Sequence, residues 1–344
     1  MSQYKYETFA QNVYDNFADN NLDKNWEHFE KLWSDETGNG IIKDNSYISL
    51  MNINNTTDEK KKKCLVIKAT GDSYTLDEPK GLKGKSSKRV GGGVKSKYLM
   101  GPGEYNIRVK FTPFDGVCNA LWLFNYFEID SEDVRHPKNK HLCVDNNVES
   151  EAILNPEIDF ELLDNKKCRC NVFRSTNDAL LETTVDLNEH KLNLQDNKWH
   201  NLKYIWETGI VKVSDLIGRE LTDGEIVIYK ENSYINDIKE KRFYELNGMP
   251  VYKSIDNDNE YRIYYGKNVE ILIDGKKLFK KELKDITIKN LLSNPIPNSL
   301  SYFYIALWYP NFIKTKPDFY HTLMVVDTFE YKYNGNPFHR LNKE

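Results

Sequence analysis

Short runs in which apolar and polar side chains alternate recur along the chain, and they constrain its fold most strongly. Three clear examples are Tyr105–Thr112, His200–Trp206 and Val269–Ile273. Successive side chains of a β-strand point to opposite faces, so each run predicts a strand with one buried face. A late strand is predicted to place five residues on one shared face: Leu323, Val325, Asp327, Phe329 and Tyr331.

The number of such runs indicates the fold class. Further strand-like runs occupy Lys63–Thr70, Ala120–Phe127, Ile158–Leu163, Glu225–Tyr229 and Tyr302–Tyr309. About ten strands with few long helical patterns are typical of an all-β protein, either a two-sheet sandwich or a jelly roll. We therefore expect two antiparallel sheets packed face to face.

One segment has helical spacing. Leu22, Trp26, Phe29 and Trp33 recur every three or four residues, which makes Leu22–Trp33 the best helix candidate. The alternative is a loop that pins these aromatic rings against the sandwich.

The domain organisation follows from what separates the strand patterns. We find no internal repeat and no linker rich in Gly, Pro and Ser. Residues 1–344 are therefore expected to form a single β-sandwich domain. A charged block at about 208–267 lies between two strand patterns, and we interpret it as an insertion in that domain.

Composition narrows the function classes. The 344 residues include 48 Lys and Arg against 52 Asp and Glu, a net charge of −4, which gives no electrostatic reason to expect a nucleic-acid partner. No apolar run approaches the length of a membrane-spanning helix, so no membrane partner is expected. The polar start Met1–Glu7 lacks the pattern of a secretory signal peptide, which predicts an intracellular or non-classically released protein.

The cysteines and histidines indicate no metal centre. Five cysteines without a signal peptide predict reduced thiols, and only Cys168 and Cys170 are close in sequence. No other Cys pair or nearby His completes a zinc site, so we expect two packed thiols. The seven histidines are scattered and form no HExxH motif.

The strongest chemical signal is a predicted strand with three acids on one face. Within Pro156–Leu163, Glu157, Asp159 and Glu161 alternate with apolar residues, so the acids share the face opposite the core. Cα atoms four residues apart on a strand are separated by roughly 13 Å. Two inclined Glu side chains then bring their carboxyls to about 5–6 Å, the spacing of retaining glycosidases. An ordinary acidic strand face is the alternative.

Segments on both sides of the acids add context in a fixed order. They are Leu65–Asp72, Arg89–Lys97, Gly101–Lys110, Gly116–Leu123, Lys198–Trp206, Val269–Gly275, Ile305–Trp308 and Val325–Tyr333. Together with Glu157–Glu161, this ordered set resembles family-16 glycoside hydrolases, the laminarinase and lichenase group of endo-β-glucanases. The chain departs from the family at Phe127–Asn155 and Thr208–Lys267, where residues are inserted.

The resemblance implies a concanavalin-like β-jelly-roll sandwich with a concave glycan cleft across one sheet. Glu157 would be the nucleophile, Glu161 the general acid/base and Asp159 the assisting carboxylate of a retaining double displacement. The implied function is endo-hydrolysis of a β-linked polysaccharide, a β-1,3- or mixed-linkage glucan, by a monomer that requires no cofactor. Some family members carry a structural calcium, for which the sequence indicates no ligands.

Other functions stay open at this point. The same fold could be a non-catalytic glycan-binding module, or the covalent intermediate could pass to a sugar acceptor in transglycosylation. An interaction protein whose insertions carry the function is a third alternative. The acid trio favours an enzyme, because a lectin has no need for two Glu flanking an Asp.

Aromatic side chains are expected in the cleft, because sugar rings present apolar faces to flat partners. Trp122 and Trp308 match cleft-side positions of the family, although either could belong to the core. Asn171, on the strand after the acids, could donate to a sugar hydroxyl or to Glu161, or could make a strand-end hydrogen bond. Gly91–Gly93 is expected to bend beside the cleft.

Overall fold

The computed structural model describes residues 9–31, 40–55, 60–75, 88–125, 127–128, 153–164, 166–175, 180–219, 227–229, 233–235, 238–240, 243–246, 249–253 and 260–340. Its strands are β1 Asn12–Asp15, β2 Trp26–His28, β3 Ser46–Asn52, β4 Lys61–Thr70, β5 Gly92–Ser96, β6 Gly103–Lys110, β7 Cys118–Phe124, β8 Phe127–Glu128, β9 Ile153–Leu162, β10 Lys167–Ser175, β11 Leu180–Asp186, β12 His200–Lys212, β13 Val227–Tyr229, β14 Ser233–Ile235, β15 Ile238–Glu240, β16 Phe243–Leu246, β17 Met249–Lys253, β18 Tyr261–Ile273, β19 Lys276–Glu282, β20 Tyr302–Trp308, β21 His321–Tyr333 and β22 His339–Arg340. The α-helices are α1 Val213–Ile217 and α2 Ile288–Leu292. No described helix is long and apolar enough to cross a membrane.

Two antiparallel sheets form an all-β jelly-roll sandwich, as the alternation predicts. The first sheet runs β13-β16-β17-β18-β12-β6-β21-β4-β3, with β1 beside β21 and β19 beside β18. The second sheet runs β11-β10-β9-β7-β20-β5-β2, with β8 beside β9. Some neighbours in the second sheet are distant in sequence, such as β7 and β20 or β20 and β5, so the site described below combines segments from across the chain.

The main core lies between the two sheets. Tyr105 and Val109 of β6 are buried from the first sheet, and Ile158 and Phe160 of β9 from the second. The ring centroids of Phe160 and Phe111 lie 5.7 Å apart. Burial of each large apolar side chain contributes about 1.5–3 kcal/mol. This packing holds β9 with its apolar face inward and therefore turns its acids away from the core.

The predicted common face of the late strand, Leu323 to Tyr331, is wrong. The pairing of β21 with β6 shifts around Asp327, which leaves one extra residue in β21. A one-residue shift moves every later side chain to the opposite face. Phe329 and Tyr331 therefore join the main core, whereas Val325 belongs to a separate cluster.

The predicted helix Leu22–Trp33 is also wrong. Leu22–Lys24 forms a single 3₁₀ turn, and the following residues form β2, which pairs with β5. The buried indole of Trp26 donates to Asp15 Oδ2 at 3.0 Å. This tertiary contact overrides the helical spacing, and it fits the alternative of a segment that pins aromatic rings. Trp33 lies outside the described residues.

The block at about 208–267 continues the first sheet. β12 and β18 pair as far as Lys212 and Arg262, and β17, β16 and β13 follow beside β18. A small cluster of buried side chains joins the block to the rest of the chain: Val213, Val251, Ile263, Tyr265 and Leu291. That the block is an insertion within one domain stays a prediction.

The thiols are packed as the sequence predicts. Cys168 and Cys170 are free cysteines, fully buried in the main core. Both point inward from β10, so Arg169, Asn171 and Phe173 occupy the face that carries the site.

Candidate active site

The acids of β9 line one cavity on the second sheet. Glu157, Asp159 and Glu161 border a space of about 310 Å³. Asp159 and Glu161 are buried, and Glu157 is partly buried. The alternation of β9 therefore concentrates three carboxyl groups in a site that is largely withdrawn from water.

Strand pairing determines what lies beside each acid. The pairs between β9 and β7 are Glu157 with Phe124, Asp159 with Trp122, and Glu161 with Ala120. On the next strand, β20, Tyr304 lies opposite Trp122 and Ala306 lies opposite Ala120. A row of large rings thus runs beside a row of small side chains.

Aromatic rings border the cavity. Trp122 and Tyr304 are stacked, with centroids 4.9 Å apart and planes inclined by 20°. Trp308 borders the same cavity and meets Phe312 edge-on at 5.8 Å. Trp122 and Trp308 are both partly exposed. The structure therefore brings the two tryptophans together with the acids, while their contact with sugar stays a prediction.

Glu157 has three partners that favour its ionised form. Burial raises the pKa of Glu157 to about 7, although hydrogen bonds from Asp159 and Asn155 and the charge of Lys31 each lower it. Asn155 Nδ2 lies 3.2 Å from Glu157 Oε2. An ionised carboxylate is the form that a nucleophile requires.

Asp159 is enclosed between the other two acids. Burial and the negative charges of Glu157 and Glu161 raise the pKa of Asp159 well above its ordinary value. In the described part of the chain, its Oδ1 atom receives no hydrogen bond. Asp159 and Glu157 share a side-chain hydrogen bond, and a protonated Asp159 that donates in it stabilises the Glu157 carboxylate.

Asn171 has a partner other than the expected Glu161. It lies opposite Asp159 across the β9–β10 pair, and its Nδ2 atom donates to Asp159 Oδ2 at 3.4 Å. Its side-chain oxygen, Oδ1, accepts a hydrogen bond from the Thr183 backbone N–H at 3.2 Å. Asn171 is 3% exposed and does not border the cavity. The structure therefore places it to orient Asp159, and its contact with a sugar hydroxyl stays a prediction.

The surroundings of Glu161 raise the pKa of its carboxyl group. Burial and the charge of Glu157 raise the pKa of Glu161 to about 7, against the opposing influence of Arg169 and Cys118. The Cys118 thiol lies 3.8 Å from Glu161 Oε1. The pKa of each glutamate is thus raised to about 7, and an ionised Glu157 favours the proton on Glu161.

Comparisons with known proteins add evidence on the fold. No protein-family model and no curated protein matches the chain. A solved lichenase, a β-1,3-1,4-glucanase derived from a mouse hindgut metagenome, is 12% identical, with a TM-score of 0.50 over 94% of this chain and 100% of that one. The Bacillus licheniformis β-glucanase is also 12% identical, with a TM-score of 0.50 over 94% and 98%. The laminarinase catalytic domain from Thermotoga maritima is 12% identical, with a TM-score of 0.50 over 98% and 100%.

The chain shares the fold of these β-glucanases. The likeness covers nearly the whole of each chain, so the jelly-roll sandwich includes the strands that carry the acids. It agrees with the resemblance found in the sequence at the level of fold.

Several residues that border the cavity were not singled out as candidates from the sequence. They are Phe29, Lys31, Lys95 and Tyr304, of which only Lys95 lies in a motif segment, Arg89–Lys97. Tyr304 lies four residues before Trp308 on β20, so alternation alone could have placed it on the same face. Phe29 and Lys31 follow β2, and no local pattern connects that segment with β9.

Metal ligands show no comparable grouping. Within the described ranges, no three His, Cys, Asp or Glu side chains are placed to hold a metal ion. The calcium of some family-16 members therefore has no matching side-chain cluster in this part of the chain.

Proposed function

We propose that this protein is a retaining glycoside hydrolase that cleaves a β-linked glucan with β-1,3- or mixed linkages. The observation that carries the proposal is the row of Glu157, Asp159 and Glu161 along a cavity walled by aromatic rings. The fold shared with solved β-glucanases supports it.

The proposed reaction has two displacements. Glu157 attacks the anomeric carbon and forms a glycosyl ester, while Glu161 gives its proton to the oxygen of the breaking glycosidic bond. Glu161, now a carboxylate, then takes a proton from a water molecule. That water attacks the anomeric carbon and releases the sugar from Glu157, and the second inversion restores the original configuration.

The surroundings of the two glutamates support these roles. Lys31 and Asn155 stabilise the negative charge of Glu157 before the attack, and the charge of Glu157 raises the pKa of Glu161. When Glu157 becomes an ester it loses its charge, so the pKa of Glu161 falls and Glu161 becomes a base for the second step. One charge change thus switches the role of the other residue.

The aromatic rings supply the proposed sugar contacts. Trp122 and Trp308 are partly exposed and border the cavity that holds the acids. Their flat apolar surfaces match the C–H faces of pyranose rings. Substitution of either Trp with Ala is expected to raise KM more than it lowers kcat.

A reducing-sugar assay on laminarin, lichenan, cellulose and agarose tests the function. We expect turnover of laminarin or lichenan by the wild-type protein and none by Glu157→Gln, whose amide has nearly the size of the carboxylate. Glycan binding without turnover in the wild type would contradict the proposal and favour a lectin. Products longer than the substrate would instead identify transglycosylation.

A further inference from the structure

The segment that follows β2 lies at one end of the cavity. Phe29, Glu30 and Lys31 all border it, together with the three acids. The Phe29 ring meets Tyr304 edge-on at 5.4 Å and Trp122 edge-on at 6.4 Å. Phe29 therefore packs against Trp122 and Tyr304, the row of rings that extends across the sheet from Asp159.

Small side chains form a channel beside these rings. Ala120 lies opposite Glu161, Ala306 lies opposite Ala120, and Gly93 of β5 lies opposite Ala306. A row without bulky side chains thus leads from the proposed acid/base across three strands. Only its first member, Ala120, borders the cavity, whereas Ala306 is fully buried. The stacked Trp122 and Tyr304 stand along one side of this row.

Phe29 occupies the far end of the channel. A Cβ atom added at Gly93 would lie 2.6 Å from Phe29 Cε1 and 2.7 Å from its Cζ. Only glycine lets the ring lie this close to the strand. Gly92–Ser96 is strand β5 and Gly91 forms a β-bridge with Ile41, so the expected bend at Gly91–Gly93 is wrong. Gly93 lies under the Phe29 ring.

The segment is anchored on both sides of Phe29. Before it, Trp26 is fully buried and β2 pairs with β5. After it, Lys31 exchanges backbone hydrogen bonds with Ile41, at 3.3 Å and 2.8 Å. The Lys31 ammonium also lies 5.7 Å from the centre of the Phe124 ring. These contacts hold Phe29 as a fixed part of the cavity wall.

Strand spacing gives the length of the channel. The Phe29 ring covers Gly93 of β5, next to the fully buried Ala306 of β20. The open floor between the acids and the ring therefore spans only one or two strand steps of about 4.8 Å, which admits a short stretch of glucan.

We propose that Phe29 is a specificity-determining residue that closes the channel and makes the enzyme cut at a short, fixed distance from a glucan chain end. This inference rests on the proposed function. It replaces the endo-acting mode that the sequence resemblance implies, because a long chain cannot continue past the ring along the channel floor.

The test measures binding of β-1,3-gluco-oligosaccharides of two to eight rings by calorimetry. Glu157→Gln is the background, so that no ligand is consumed. We expect affinity to stop rising once the channel and the opposite side are filled. Adding Phe29→Ala should increase the affinity of the longest oligosaccharides about tenfold, or about 1.4 kcal/mol, and leave that of the shortest ones unchanged.

Two further variants serve as controls. Phe29→Leu keeps an apolar wall and should retain the original length dependence. Tyr14→Ala removes a ring that is 60% exposed on β1 of the other sheet and should change nothing. Circular dichroism checks that each variant is folded.

Product analysis gives a second readout on the active protein. Wild type should release one short product length first, and Phe29→Ala should release mixed lengths from the start. Equal length dependence and equal products in the two proteins would overturn the role of Phe29 while leaving the hydrolase intact. Failure of every oligosaccharide to bind Glu157→Gln would instead contradict the proposed function.

Discussion

At the scale of single residues, the three carboxyl groups of the site are chemically similar but have different neighbours. Glu157 is favoured as an anion by Asn155 and Lys31, whereas Glu161 lies in the negative field of Glu157. Asp159 is the most enclosed, and burial raises its pKa well above the ordinary value. The raised pKa favours the neutral form, which reduces the repulsion expected from three acids on one strand.

The first prediction concerns the pH dependence of kcat/KM. Activity requires ionised Glu157 and protonated Glu161, and the pKa of each is raised to about 7. Activity should therefore fall on both sides of about pH 7, with limbs that belong to the coupled trio. The Lys31 charge lowers the pKa of Glu157, so Lys31→Met should move the acid limb to higher pH and reduce activity severalfold at pH 6.

Lys95→Met is the matched control for this experiment. Lys95 borders the same cavity, but its ammonium pairs with Glu27 at 2.7 Å. The acid limb should stay in place in this variant. An unmoved acid limb in Lys31→Met would contradict the assignment of Lys31 to Glu157.

The second prediction separates the two glutamates. Glu161→Gln removes the proton donor, so turnover of unactivated glucan should fall about 10²–10⁴-fold. An aryl glycoside with a good leaving group needs no acid in the first step and should still react, and added azide should accelerate the second step. If azide instead rescued Glu157→Gln and the glycosyl azide kept the anomeric configuration of the substrate, the roles of the two glutamates would be assigned the wrong way round.

Much of the site at the scale of single residues can be predicted from alternation in the sequence. It places the three acids on one face, and the family motifs bring Trp122 and Trp308 to the cavity. The partner of Asn171 could not be predicted, because it depends on the register between β9 and β10. That register is set by a hairpin whose length the sequence pattern leaves open.

At the scale of elements, β2 is positioned by a buried carboxylate. Asp15, at the end of β1, accepts hydrogen bonds from the Phe17 backbone, from Asn25 Nδ2 and from the Trp26 indole. These bonds fix the start of β2, and the segment carrying Phe29 follows directly. The apolar spacing alone suggested a helix, because these long-range contacts have no local signature.

The third prediction tests this anchor. Asp15→Ala leaves buried donors without an acceptor, so the free energy of unfolding should fall by at least about 1–3 kcal/mol. Asp15→Asn keeps one acceptor oxygen and should lose less. Asp19→Ala, at an exposed acid in the following turn, should stay within about 0.5 kcal/mol of wild type. Urea unfolding measures all three, and equal stability of Asp15→Ala and Asp19→Ala would contradict the anchor.

The bulge in β21 shows a second limit of sequence patterns at this scale. Periodicity correctly predicts that the strand exists, but it assigns Phe329 and Tyr331 to the face of Val325. The extra residue at Asp327 reverses that assignment. Asp327 also forms ion pairs with Lys62 and Arg108. The bulge therefore places a carboxylate in a polar cluster, which apolar alternation does not reveal.

At the scale of the whole molecule, the block at about 208–267 shares both a sheet and a cluster with the rest of the chain. Leu291 of α2 packs in that cluster, and Arg174 of β10 donates to the backbone carbonyl of Leu291 at 2.7 Å. These contacts connect the block to the sheet that carries the acids. We therefore expect the block to unfold together with the sandwich.

The fourth prediction follows from this connection. Leu291 is 2% exposed, so Leu291→Ala should lower the free energy of unfolding by about 2–5 kcal/mol. Tryptophan fluorescence, which reports on Trp26 and Trp206 of the core, and hydrogen exchange at Val213 and Val251 should show one shared transition.

Ile286→Ala, at a side chain 40% exposed, is the control and should have little effect. Two separate transitions in the wild type would show that the block is a domain of its own.

The sequence patterns do not predict that Phe29 closes one end of the cavity. The strands that carry the acids and the tryptophans follow from alternation and from ordered motifs. The wall formed by Phe29 depends on β2 pairing with β5 and on Gly93 lying under the ring. Such a contact between distant segments becomes visible only when the whole sheet order is known.

The central claim is that Glu157 and Glu161 perform a double displacement. Proton NMR of the first product formed from a β-linked gluco-oligosaccharide tests it most directly. We expect the β-anomer to appear first and then to mutarotate to the equilibrium mixture, because two inversions restore the starting configuration. Initial appearance of the α-anomer would contradict the double displacement.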